Sequence, residues 1–591
     1  MSIAVLNEVY SEVRRLAIAG SVVAPGDFRL KKLVEPLKKA GAKAPVFAKV
    51  AGSVEEVINS TDATSATSLL NLSSLVCSIL YTQGSTGVEG KLETIQSSSV
   101  QAKRTQTSAR MLKPLIEALT STGSGRLEQI RGAVELGLFS DLRLVRPALN
   151  AIDDVYGEIA DMIAEKVLPI YGKAILGELQ STFDSKGKGG HARRLKLMHQ
   201  IDPEFARELV KDSLSSGSPD VKIAAIKCLG DSPDDLSYLI DQSKAKAKDV
   251  RQAAYHSLCK TSHADALQVL TNAMDGKDLG ILANAVRHCK PTKLIEIALD
   301  RAQKLFVEIS AIKDKKKQGE AVARLLDLLT IIRNEISPAA AAFLQQCIEA
   351  TTSLEKIKST PSGLDVVESA VEALAEGGGP AGIKFIIEQR DKVHDGSFAT
   401  VFDAAFESLS PKDFYKTFSP YMNRSAKKNS PEYHKFEMVR AGLMDDFGFH
   451  YRWMSNEPKK PVDIAWLNDA IAADDLELVL SLAQSKHAGT IKYIDSKLAN
   501  PKALAKVDWD IASAMLTIGH PKATEYIIEN LTARLKKKSS YESYSWCYLA
   551  ARLSPDALPA LEALAGDPKL SDHAGDRLID AINEIRERAK K

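Results

Sequence analysis

The chain has 591 residues, 45% hydrophobic and 26% charged, with 78 Lys and Arg against 76 Asp and Glu for a formal charge of +2. These values exclude a disordered chain, and the charge balance removes any global pull toward nucleic acid or an anionic membrane. At this length a single core has stopped growing, so the choice is between several domains and an elongated array.

The opening stretch carries Glu8, Glu12, Arg14 and Arg15, where a signal peptide needs an unbroken apolar run. No segment reaches the ~18 apolar residues of a membrane span. Six cysteines, Cys77, Cys228, Cys259, Cys289, Cys347 and Cys547, are scattered without CxxC or His/Cys knuckle spacing, which suggests neither zinc nor a disulfide framework. A cytoplasmic protein that does not enter the membrane is expected.

Further along, LFSDLRLVRPALNAIDD (138–154) predicts a helix carrying Pro147, and a second helix is expected from Tyr156 through Lys166. The stretch SKGKGGHARR (185–194) places Gly187, Gly189 and Gly190 beside Lys186, Lys188, Arg193 and Arg194. It lacks the strand-to-helix setting and the GxxxxGK[ST] pattern of a phosphate loop. Either a basic surface loop or an anion contact fits it.

The most informative pattern follows. Asp220, Asp249 and Asp278 stand 29 residues apart, each opening a similar decamer: DVKIAAIKCL, DVRQAAYHSL and DLGILANAVR. A fixed period of this size signals stacked copies of one unit that cannot bury its apolar face alone. Val221, Ala224, Ala225 and Leu229 fall at helical spacing, as do Val250, Ala253, Ala254 and Leu258. PDDLSYLIDQSKA (233–245) and HADALQVLTNAM (263–274) supply amphipathic helices between them. Each unit is therefore a helical hairpin, and the paired alanines mark where two helices cross closely. His256, His263 and His288 cluster here with Cys259 and Cys289, but no second ligand pair with metal spacing follows, so no metal is assigned.

Beyond the repeats, IKDKKKQGE (312–320), EGGGPAG (376–382) and MNRSAKKNSPE (422–432) read as inter-helix loops. The run Lys315 to Lys317, like Lys536 to Lys538, reads as a solvated face or a helix C-terminus. From Phe414 to Trp453 aromatics and bases interleave, including Tyr415, Phe418, Tyr421, Arg424, Lys435, Arg440, Phe447, Phe449, Tyr451, Arg452 and Trp453. Such a stretch either fills a wide inter-helix gap or offers stacking platforms to single-stranded nucleic acid. Paired acids such as Asp153/Asp154, Asp234/Asp235, Asp445/Asp446 and Asp474/Asp475 are expected mostly at helix starts. Helix pairs return near the end, in SPDALPALEALAGDP (554–568) and the stretch after it. Soft divisions give an N-terminal helical region (1–109), the repeat region (110–318, clearest at 203–290), divergent helical repeats with the aromatic and basic segment (319–460) and C-terminal helical repeats (461–591).

Pro219, Asp220, Val221, Lys222, Ala224, Ala225 and Leu229, then Asp249, Val250, Arg251, Ala253, Ala254 and Leu258, resemble HEAT repeats. Gly280 departs from the basic position in the third copy. SILYTQGSTGVEGKL (78–92) and the 138–154 stretch are similar to an uncharacterised group of bacterial HEAT-repeat proteins. The resemblance implies an all-α fold, an α-solenoid of stacked antiparallel helix pairs whose second helices line a binding surface. No catalytic, cofactor or metal motif is recognisable, so no cofactor is expected. The expected role is a non-enzymatic scaffold or adaptor for a protein or peptide. The alternative is a nucleic-acid-binding protein related to HEAT-like alkylpurine DNA glycosylases. The candidate binding surface comprises Lys188, Arg193, Arg194, Lys222, Arg251, Tyr451, Arg452 and Trp453.

Overall fold

In a computed structural model, the structure describes residues 2–83, 107, 109–135, 137–230, 232–287, 289–445, 461–484, 487–499, 507–535, 540–566 and 572–589. Helices account for the regular structure, and no strand occurs among the described residues. None of the described helices is long and apolar enough to cross a membrane. The chain forms two compact units, Met1–Cys289 and Lys290–Lys591.

In the first unit, the Ser2–Ala19, Phe28–Gly41, Pro45–Ile58 and Ser65–Gln83 helices share one core built on Leu6, Leu16, Leu30, Leu37, Val54 and Leu72. The repeats follow as hairpins. Pro203–Ser216 pairs with Pro219–Lys227, Leu236–Gln242 with Lys248–Leu258, and Ala264–Asp275 with Leu279–Ala285. The starts follow local chemistry: Asp202 accepts from the Phe205 amide at 3.2 Å, Ser218 from Val221 at 3.3 Å, and proline occupies the first helical position after each.

Second helices pack on one another in chain order, Gly189–Ile201 on Pro219–Lys227, that on Lys248–Leu258, and that on Leu279–Ala285. Ala225, Ala253 and Ala254 are fully buried at these crossings. The small side chains let the backbones approach, and side chains of one unit then satisfy carbonyls of the preceding one. Ser257 Oγ donates to Ile226 O at 2.7 Å, and Lys260 Nζ donates to Lys227 O at 2.6 Å. Gly230, at φ 110°, brings its Cα so near that a Cβ would lie 2.4 Å from Ser257 O. Only glycine fits there.

The second unit repeats this arrangement without the sequence motif. The Lys315–Ile332, Gly363–Gly377, Asp395–Ser408, Pro431–Asp445, Leu476–Ser481, Asp508–Ile518, Ser540–Ala551 and Asp572–Ala589 helices form a row in which each packs on the next.

Some expected elements differ. Residues 138–154 are two 3₁₀ turns, a short Val145–Asn150 helix and a third 3₁₀ turn. Asp141 adopts an extended backbone and its carboxylate accepts from the Arg143 amide, which ends one turn and starts the next. The following helix opens at Gly157 and widens into a π turn over Ile163–Val167. Lys315 to Lys317 open a helix rather than close one, after the Asp314 cap, and all three are exposed.

The Arg126 and Asp154 side chains, 8% and 7% exposed, form a bidentate pair at 2.7 and 2.9 Å. Removing one partner strands the other charge, so Arg126→Leu should cost about 3–5 kcal/mol in a urea titration. Ala254→Glu places a charge in the helix crossing and should cost on the order of several kcal/mol. An unchanged melting temperature would refute that packing assignment.

Candidate functional site

The glycine-basic loop is organised from within. The Asp184 amide donates to His191 Nδ1 at 2.9 Å, the Lys186 amide to Asp184 Oδ1 at 2.9 Å, and Gly187 N–H to Asp184 O at 3.0 Å. Ser218 Oγ fixes the loop to the next repeat by donating to Gly187 O at 2.6 Å. Arg194 is 7% exposed and grips Asp153 with bonds of 2.7 and 2.6 Å. A Cβ on Gly190 would lie 1.9 Å from Asp153 Oδ1, so the glycine is there to admit that carboxylate. Arg194 holds the Asp153 carboxyl below its usual range. Arg193 binds Asp161 at 2.6 Å. The place where a bound anion would sit beside Arg194 is filled by the chain's own carboxylate, while Lys186 and Lys188 remain exposed.

Arg251, at the opening of a second helix, binds Asp278 of the following unit at 2.7 and 3.1 Å and donates to Ala245 O and Lys246 O. Tyr255 Oη adds a bond to Asp278 at 2.9 Å. Burial alone would raise Asp278, but the bonds from Arg251 and Tyr255 outweigh it and hold the carboxyl low. Lys222, one unit earlier, is half-buried and forms no ion pair with Asp249 among the described residues.

His256 Nδ1 lies 3.0 Å from Ala285 O and 3.8 Å from Cys289 Sγ. The carbonyl can only accept, so Nδ1 carries the proton and the ring is kept neutral by burial. His263 caps the Ala264–Asp275 helix. Burial raises the Cys259 and Cys289 thiols. No group of three His, Cys, Asp or Glu able to hold a metal occurs among the described residues, and His288 lies outside them. Cys228, Cys347 and Cys547 are buried, whereas Cys77 is exposed.

In the second unit, Phe414 and Phe418 are 2% and 0% exposed and pack edge-on against Phe402 at 5.1 Å. The flanking tyrosines are tied to acids, Tyr415 to Asp469 at 2.7 Å and Tyr421 to Asp391. Lys435 Nζ stands 5.2 and 5.5 Å over the rings of Phe398 and Tyr421. Arg424 and Arg440 converge on Asp475, which is 7% exposed and also caps the Leu476–Ser481 helix. Tyr451, Arg452 and Trp453, with Phe447 and Phe449, lie outside the described residues.

The expected acids divide accordingly. Asp475 starts a helix, Asp445 lies within the Pro431–Asp445 helix far from its start, and Asp153 and Asp154 serve arginines of other elements. Sequence reasoning missed these pairs, although Arg126/Asp154 and Arg251/Asp278, separated by about one repeat, carry the signal.

Residues 207–288 match the HEAT repeats family. No curated protein matches the sequence. The chain is similar to the crystal structure of Kap121p, with 14% identity over 81% of this chain and 57% of that chain and a TM-score of 0.32. Kap121p bound to Ste12p gives 14% identity, 81% and 56% coverage and a TM-score of 0.34. Importin beta gives 11% identity, 99% and 86% coverage and 0.31. The chain spans just over half the length of the Kap121p chains.

Burial raises the Asp475 carboxyl, yet the bonds from Arg440 and Arg424 prevail and bring it to about 2 from 3.8. A depressed carboxyl stabilises the fold above its unfolded value and loses that contribution as pH falls through the folded one. Stability should therefore drop by about 2 kcal/mol between about pH 4 and pH 2. Asp475→Asn should flatten this limb in denaturant titrations across that range; an unaltered limb would refute the assignment.

Proposed function

We propose that the chain, whose residues 207–288 match HEAT repeats, is a non-enzymatic scaffold that holds a protein or peptide along its row of second helices. The observation that carries this reading is the face those helices leave open. Ile223, Gln252 and Ile281, at the 29-residue spacing, are all half-buried, and Lys227 and His256 lie one turn further on. The alanine side of the same helices is closed by packing. A repeated, part-apolar row on rigid elements offers equivalent contacts to an extended segment, the arrangement by which repeat arrays bind.

The nucleic-acid reading needs free arginines and accessible rings. Arg193, Arg194, Arg251, Arg424 and Arg440 are engaged by carboxylates, and Phe414 and Phe418 are buried.

The test is cross-linking and mass spectrometry on the tagged full chain in native lysate. A stoichiometric protein partner should cross-link to the 189–285 second helices. Ile223→Thr with Ile281→Thr should weaken its capture by about tenfold, the scale of losing a central apolar contact, while the helical circular dichroism spectrum stays in place. Absence of any stoichiometric protein partner would overturn the reading.

A further inference from the structure

Some bases of the first unit are bound to acids of other elements and some are not. Arg126, Lys173, Arg193, Arg194 and Arg251 each reach a carboxylate of another element at 2.6–2.7 Å. Lys196, Lys227 and Lys260 do not: none forms an ion pair among the described residues.

These three lysines sit together. Lys196 belongs to the Gly189–Ile201 helix, Lys227 is the last residue of the Pro219–Lys227 helix that packs on it, and Lys260 lies just beyond the Lys248–Leu258 helix that packs on that. Lys260 Nζ reaches back to within 2.6 Å of Lys227 O. His256, between them, feels the charges of Lys260, Lys227 and Lys196. The Lys227 ammonium is disfavoured by burial and then by Lys196, with Asp249 the acid that opposes this. Lys260 has a structural reason to be cationic, since it caps carbonyls at a helix C-terminus. Lys196 and Lys227 have none, and like charges gathered beside a half-buried ammonium destabilise the fold unless a partner of opposite sign relieves them.

We propose that Lys196, Lys227 and Lys260 form a cationic strip along the second helices that takes a carboxylate-rich peptide segment of a protein partner. This narrows the scaffold reading and rests on it. The strip and the apolar row meet on the Pro219–Lys227 helix, which carries both Ile223 and Lys227, and Gln252 lies on the helix that Lys260 follows, so acidic side chains of an extended segment meet the lysines while apolar ones meet Ile223. Lysine suits such a surface because its flexible ammonium accepts a carboxylate in several geometries, without the fixed fork that arginine presents.

The experiment measures fluorescence anisotropy of a labelled oligoglutamate peptide with the full chain at low salt, beside an oligolysine peptide and a single-stranded RNA of equal length. The expected result is binding of oligoglutamate alone, weakening as salt rises. Lys196→Gln, Lys227→Gln and Lys260→Gln combined should lower the affinity by about tenfold, the scale of three lost surface charges. Lys196→Gln alone, at an exposed position, should retain the native melting curve and lose part of the affinity. No oligoglutamate binding, or binding by both variants equal to that of the natural chain, would overturn the proposal, as would RNA binding tighter than oligoglutamate that the same substitutions abolish. A protein partner captured equally by the triple variant and the natural chain would remove the strip and leave the scaffold standing. No captured partner for either would remove the scaffold itself.

Discussion

The fold depends on one constraint: a two-helix unit this small exposes an apolar side that only its neighbour can cover. Burying Ala225 against one helix and Ala253 and Ala254 against another brings backbones close enough for Ser257 and Gly230 to meet across the seam. Close approach removes water from the carbonyls at the helix ends, which must then find partners in protein. The bonds from Ser257 and Lys260 to Ile226 and Lys227 follow from the alanines, not independently of them. Apolar packing and polar satisfaction are thus one requirement met in two ways.

Charge obeys the same logic. A formal charge of +2 conceals arginine–acid pairs that join separate elements of the structure. Asp153 with Arg194, Asp278 with Arg251, and Asp475 with Arg424 and Arg440 each join elements distant in sequence. Overall neutrality therefore says little about any one face, because the pairs cancel where they are buried and leave the unmatched lysines to set the local field.

The all-α class and the hairpin repeat were legible because their cause is local: apolar spacing, proline and cap residues recur at Ser218, Pro219 and Asp220. The stacked row of the second unit was legible only as a style. From Gly363–Gly377 to Asp572–Ala589 the helices keep their packing order and still bury small residues such as Ala370, Ala405, Ala512 and Ala550, while the Asp-Val-Arg opening disappears, since the seam needs matching volume and not that tripeptide. The apolar spacing of 138–154 suggests one helix around Pro147, but the extended backbone of Asp141 breaks it, and nothing in the spacing marks that residue. The candidate binding arginines were visible as charges, but whether a charge is free depends on which acid the fold brings to it. Sequence places Arg194 in a glycine-rich loop; only the fold places Asp153 on Gly190.

Arg251 bridges its own unit to Asp278 in the next, which fixes how the array can change length. Duplicating a segment equal to the full spacing, with Arg251 and Asp278 inside it, restores an arginine opposite an acid. Removing a few residues rotates the following helix, points its acid elsewhere and leaves Arg251 beside nothing. Growth by whole units is the tolerated route, with Arg251 and Asp278 acting as the latch that checks register.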